Sequence, residues 1–178
     1  AIVSPANSFG DMGGGLDKAI DDYFEGKLQK KVQSHIQAEF LGEIPVGTAS
    51  ILKLDNRNYP FLIIAPTMRI PGNVGKSINA YLAMRAILVA LIKHNRFSNN
   101  PIKSIVLPSL CTGVGGMPYQ EAGEQMLSAI KNILDEKYKT EETRINGCQS
   151  KVWLYAEKQA DKVVFFADSD AIITKGIV

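Results

Sequence analysis

The sequence predicts an α/β domain in which a mainly parallel sheet is covered by helices on both faces. Three observations predict it. The run Phe61–Ala65 is continuously apolar, and Ile102–Leu110 has the apolar centre Val106-Leu107, as strands buried in the sheet do. Segments with helical apolar spacing alternate with them, as βαβ units require. Two glycine-bearing loops each follow a strand and open a helix, which places both beyond the carboxyl ends of the strands, where such sheets bind ligands.

In chain order, Ala1–Pro5 is a short β-rich run stopped by proline, and residues 6–15 are a loop with four glycines. Leu16, Ala19, Ile20, Tyr23 and Phe24 recur at helical spacing, and Gly26 ends that helix. Lys27–Phe40 repeats an apolar residue every fourth position and predicts a second helix. Gly47–Leu54 alternates and predicts a strand, followed by the buried strand Phe61–Ala65. Arg69–Lys76 holds two glycines and a proline and predicts a mobile lid at the same rim. Ser77–His94 is a long buried helix, Ile102–Leu110 a buried strand, and Tyr119–Tyr138 a further helix. Residues 140–150 form a polar connection. Val152–Ala156 and Lys162–Ala167 are strand candidates, with Trp153 in the core. Asp168, Ser169 and Asp170 offer an N-cap for a short helix over Ala171–Gly176. No internal repeat or linker appears, so residues 1–178 are expected to form a single domain.

The bulk numbers exclude several function classes. A net charge of +2 gives no field that selects nucleic acid or an acidic membrane surface. No apolar run reaches the roughly 18–20 residues that span a bilayer. Two cysteines, Cys111 and Cys148, and two histidines, His35 and His94, show no metal-ligand spacing, so neither a metal nor a cofactor is expected. A reducing compartment follows, cytoplasmic or nuclear, with no signal peptide visible. The first residue is Ala rather than Met, which fits either removal of a start Met or an upstream segment. His35, between charged neighbours, reads as solvent-facing, and His94 as a cation at a helix end.

The chemistry lies in the two loops. In the first, Gly13, Gly14 and Gly15 let the backbone approach a ligand and turn its N–H groups inward, and the next helix adds the positive end of its dipole. Asn7 stands just past the strand end, where its amide can both donate to and accept from sugar hydroxyls. Asp17, ten residues on in the first helical turn, can orient or deprotonate a water. The same residues also suit a tight connection and a dipole-complementing carboxylate, and the motif leaves both readings open. The second loop, Ser109–Met117, again ends a buried strand and opens a helix. Two phosphate-cradling loops on one rim suit a diphosphate. Neither loop matches the P-loop or the dinucleotide fingerprint.

Together the loops resemble the macro domain. Ala1-Ile2-Val3-Ser4-Pro5-Ala6-Asn7-Ser8 is similar to that family's strand ending in Val-Asn-Ala-Ala-Asn-Ser, and Gly13-Gly14-Gly15-Leu16-Asp17 to its Gly-Gly-Gly-Val-Asp. Leu107–Pro118 is similar to its Phe-Pro-x-Ile-Ser-Thr-Gly-x-x-Gly-x-Pro, and the resemblance extends over about residues 1–138. It implies a three-layer α/β/α fold with a mixed, mainly parallel central sheet. It further implies that the pocket binds ADP-ribose or a derivative, free or on an ADP-ribosylated protein, and that a bond at the distal ribose is hydrolysed. A non-catalytic reader of ADP-ribose and an ADP-ribose 1″-phosphate phosphatase are the alternatives. Asn7 would hold the distal ribose and Asp17 would position the water. Ala6, Ser8, Gly13, Gly14 and Gly15 would face that ribose and its phosphate. Ser109, Cys111, Thr112, Gly113, Val114, Gly115, Gly116 and Met117 would cradle the pyrophosphate.

Several departures stand out. The family's second-loop aromatic falls at Gly115, with Phe9 or Tyr119 as candidate replacements. The histidine of some phosphatase members falls at Met12, which weakens that mechanism. Cys111 replaces the usual serine and reads as a buried small thiol rather than a nucleophile. Lys162–Asp170 resembles the first strand of an atypical microbial and fungal branch. This implies a rearranged order in which the C-terminal strand takes a place usually filled from the N-terminus. Asp168 would then reach the adenine, or simply cap a helix.

Overall fold

The computed structural model describes residues 1–134 and the backbone of two later strands, residues 162–167 and 171–176. The elements run β1 (Ile2–Ser4), α1 (Gly15–Tyr23), α2 (Leu28–Phe40), β2 (Ser50–Lys53), β3 (Phe61–Ile64), α3 (Asn79–Phe97), β4 (Ser104–Pro108), α4 (Tyr119–Leu134), β5 (Lys162–Ala167) and β6 (Ala171–Gly176). One six-stranded sheet is ordered β2-β3-β1-β4-β5-β6. The β1–β3, β1–β4 and β4–β5 pairs are parallel, and β2–β3 and β5–β6 are antiparallel. The expected mixed, mainly parallel sheet is therefore present.

The strand period of two sorts side chains into two cores. Val3, Phe61, Ile63, Ala65, Ile105 and Leu107 face α3 and α4. Leu62 and Ile64 face the opposite layer, where Ile20 of α1 and Leu28, Val32 and Ile36 of α2 meet them. This is why Phe61–Ala65 reads as an unbroken apolar run: both of its faces are covered. Leu62, Ile63 and Ile64 are fully buried, each contributing about 1.5–3 kcal/mol of transfer free energy. The α1–α2 corner is fixed by Asp21, whose Oδ1 accepts from the backbone N–H of Leu28 (2.8 Å) and Gln29 (2.9 Å) at the otherwise uncapped start of α2.

Two expectations change. Ala171–Gly176 is a strand paired antiparallel with β5, not a short helix. Ile172, Ile173 and Thr174 are β-branched, and the ladder supplies partners that a six-residue helix lacks. The strand Lys162–Ala167 lies between β4 and β6, so β6 holds the outermost place on that side. The Arg69–Lys76 loop is tied down rather than free. Arg69 forms a two-bond ion pair with Glu43 (2.7 and 2.9 Å), and Val74 N–H donates to Gly115 O (2.8 Å). Residues 135–161 and 168–170, including Cys148, Trp153 and Asp168, lie outside the described residues. Among the described residues no helix is long and apolar enough to cross a membrane.

The chain enters β4 through a buried amide clasp. Asn95 Nδ2 donates to Ile102 O (2.9 Å), and Ile102 N–H donates to Asn95 Oδ1 (2.8 Å). Asn95→Ala strands both backbone groups of Ile102. It should lower stability by about 2–3 kcal/mol, read as a shift of the urea midpoint at unchanged slope.

Candidate functional site

A cavity of about 620 Å³ opens between α1 and the sheet. Its floor is the face of β1 and β4 that carries Ile2, Val106 and Pro108, and its wall is Leu16 and Ala19 of α1. Both glycine loops border it, which places the two cradles on one rim. Among the predicted residues, Ala6, Asn7, Gly14, Gly15 and Asp17 line it from the first loop. Ser109, Cys111, Thr112, Gly113, Val114 and Gly115 line it from the second. Ser8, Gly13, Gly116 and Met117 do not. Ser8 and Met117 are buried, and Met117 packs in the core. Gly13 N–H is held by Asp11 Oδ1 (2.9 Å), and Gly116 sits against Asn73.

The cradle property comes from backbone donors. The first N–H groups of any helix lack intrahelical partners, and α1 starts on Gly15 with φ +57°. Around Gly14 and Gly15 there is open space where a side chain would stand. In the second loop, Gly116 N–H and Met117 N–H bond back to Gly113 O and Cys111 O (both 3.0 Å). This tight turn leaves the N–H groups of Thr112, Gly113, Val114 and Gly115 without a bond among the described residues. Cys111 pivots it at φ +66°, an uncommon conformation for a residue with a side chain.

Asn7 is committed largely to its own loop. Its Oδ1 accepts from Phe9 N–H (3.0 Å) and Asp11 N–H (3.3 Å), and its Nδ2 donates to Asp11 O (3.0 Å). One N–H of its amide lies outside these bonds. Met12 is fully buried under the loop, so its side chain faces the core rather than the cavity. Gly115 has no room for the family's aromatic: a Cβ there would lie 2.4 Å from Cys111 O and 2.9 Å from Val74. Phe9 instead lies under the Arg69 guanidinium, 5.3 Å from its ring centroid. His35 is bonded to Ser50 (2.7 Å) and His94 to Asn100 O (3.1 Å), and neither borders the cavity.

Asp17 is the carboxyl that the cavity perturbs. Burial pushes its carboxyl up to about 6, Ser4 counters by donating from Oγ to Oδ1 (2.5 Å), and Asp11 adds a further upward push. Cys111 behaves oppositely to a nucleophile: burial raises its thiol to about 12, partly opposed by a hydrogen bond with Thr67. Ser4, Thr67 and Met68 join the site without a sequence signal that marks them. Ser4 sits inside the strand motif. Thr67 joins the site through long-range bonds, from its N–H to Ala6 O and from its Oγ1 to Pro5 O (3.0 Å each).

A carboxyl raised in the folded state makes the protein less stable as pH rises from about 4 to about 6, where the folded form must ionise it against burial. The full cost above pH 6 is about 3 kcal/mol. Asp17→Asn should therefore raise the unfolding free energy by about 2–3 kcal/mol at pH 8. That gain should fade toward pH 4, as measured by urea melts across the range.

The macro domain family model matches residues 3–126, more than half of the chain. A second model, the Fe-S metabolism associated domain of SufE, matches residues 126–178 and takes over within α4. An uncharacterised protein of Aeropyrum pernix is 33% identical over 140 residues, 78% of this chain and 66% of that one. SufE-like protein 1 of Arabidopsis thaliana is 42% identical over 57 residues, 30% of this chain and 15% of that one. Among solved structures, the Oceanobacillus iheyensis macrodomain with ADP superimposes with TM-score 0.63 at 26% identity, covering 94% of this chain and 76% of that one. A mutant of the same macrodomain with ADPR gives 0.60 at 25% identity, covering 94% and 77%. The shared fold, the matched residues and the paired loops agree, and the chain belongs to the macro domain family.

Proposed function

We propose that the cavity binds ADP-ribose or a derivative and that the protein hydrolyses a bond at its distal ribose. The observation that carries this is the partly buried Asp17 carboxylate on a cavity wall between two sets of unengaged backbone N–H groups. The N–H groups of Thr112–Gly115 take the diphosphate. The start of α1 and the remaining amide N–H of Asn7 take the distal ribose. Binding of ADP and ADPR by the Oceanobacillus macrodomain supports the ligand class.

In the reaction, Asp17 accepts a proton from a water as that water's oxygen bonds to the anomeric carbon. The bond from that carbon to the leaving oxygen breaks, its electron pair departs with that oxygen, and the proton taken up by Asp17 passes to the leaving oxygen. A base poised near 6 is largely ionised at neutral pH yet basic enough to assist. A phosphatase built on the residue at position 12 is disfavoured, because Met12 is in the core. A binding-only reader would use the same cradles but gives no role to a desolvated carboxylate.

The second family match favours a separate activity for residues 126–178 in Fe–S metabolism. Cys148 is the one thiol in that segment, and sulfur handling needs a thiolate.

Calorimetry should show ADP-ribose binding, and no heat at millimolar ligand would refute the assignment. In a turnover panel of ADP-ribosylated protein, O-acetyl-ADP-ribose and ADP-ribose 1″-phosphate, Asp17→Ala should lower hydrolysis of its substrate by about 100-fold or more while leaving binding largely intact. Unchanged turnover would remove Asp17 from the mechanism. Cys148→Ser should abolish uptake of sulfur from a persulfide donor, seen by intact mass, without altering ADP-ribose binding. Sulfur retained on the variant would exclude that thiol.

A further inference from the structure

Ser4 is the last residue of β1 and is completely buried. Its backbone is fixed by the sheet: it pairs with Ile64, and its carbonyl accepts from Ala65 N–H (3.0 Å). Its side chain points to the α1 layer, opposite to Val3, and Oγ donates to Asp17 Oδ1 at 2.5 Å. That length falls among short charge-assisted O–H···O⁻ bonds. Ser4 is the only hydrogen-bond partner of the Asp17 carboxylate among the described residues. Asp17 stands in the first turn of a helix entered through three glycines, a segment with little side-chain packing to orient it. The hydroxyl anchored in the sheet supplies that orientation.

We propose that Ser4 is a positioning residue for Asp17: it holds one carboxylate oxygen against the sheet and leaves the other as the proton acceptor on the cavity side. The proposal rests on the reading of Asp17 as the base. Ser4 has no exposed surface, so it is not itself a nucleophile toward a ligand in the cavity. As a donor it favours the ionised carboxylate and works against burial. The other titratable groups on the cavity wall are Asp11, whose charge opposes ionisation of Asp17, and Cys111, which stays a neutral thiol. Neither replaces the donor that Ser4 provides.

The test is the titration of Asp17 by carboxyl ¹³C NMR, together with the pH profile of turnover, in the full-length protein and in Ser4→Ala and Ser4→Cys. The Asp17 midpoint should rise in the order wild type, Ser4→Cys, Ser4→Ala. The acid limb of turnover should move with it by about one pH unit, a loss of about tenfold near pH 5 and little loss near pH 8. ADP-ribose affinity should stay within about threefold, because the cradles are untouched. A purely structural role would instead lower turnover equally at every pH. An unmoved midpoint in either variant that still binds ADP-ribose overturns the proposal. Where Ser4→Ala no longer binds, the near-isosteric Ser4→Cys decides. If the wild type hydrolyses none of the ADP-ribose derivatives, the reading of Asp17 as a base fails on its own. The NMR midpoints still decide whether Ser4 governs the carboxylate.

Discussion

The site depends on one stretch of backbone, residues 65–75, that stitches the two cradles together. On one side it pairs with the first loop: Thr67 N–H reaches Ala6 O, and Ser8 N–H reaches both Met68 O and Arg69 O (3.1 Å each). On the other side Val74 N–H reaches Gly115 O, and a Cβ on Gly75 would stand 2.8 Å from Gly116 O. Glycine at 75 permits this approach because a Cβ there would meet the Gly116 backbone, and Cβ atoms on Gly115 and Gly116 would meet the side chains of Val74 and Asn73. The two loops are some hundred residues apart in sequence, yet this stitch gives them a fixed separation. A diphosphate-linked ligand needs that fixed spacing, since each cradle contributes only a few neutral donors. Arg69, paired with Glu43 and lying over Phe9, clamps the same stretch from outside.

Against this rigid frame, Asp17 is the element held in an unfavourable state. Its place beside the sheet lowers folded stability at neutral pH and raises its basicity, two effects of the same desolvation. A fully solvated aspartate would be a weaker base, and one buried without a donor would ionise only at higher pH. Ser4 sets the balance between these limits. Stability is supplied elsewhere, by the two apolar layers that meet on Leu62, Ile63 and Ile64 and by the amide clasp of Asn95 on Ile102. The site can therefore carry the cost without unfolding the sheet.

The correspondence between reading and structure follows the range of the interactions involved. Phe61–Ala65 is legible as a buried strand because both faces are apolar, and the glycine loops are legible because only glycine fits their backbone. Ala171–Gly176 misleads because Asp168–Asp170 look like a cap, a local signal that strand pairing with β5 overrides. Arg69–Lys76 looks mobile by composition, but its order comes from Glu43 and Gly115, which are distant in sequence. Ser8 and Met117 sit inside ligand-binding motifs yet face inward, since a turn alternates exposed and buried residues in a way that motif spacing does not reveal.

The layer architecture, the two cradles and the carboxylate in the first turn of α1 are all written in the chain's local pattern. Periodicity, glycine placement and helix polarity are local properties of a chain, and they need no partner to be expressed. That Ser4 grips Asp17, and that Asn7 spends its amide on its own loop, come from the fold. The fold also locks both cradles onto one rim through a third segment. Those outcomes are hydrogen bonds and desolvation between atoms that only the folded packing brings together.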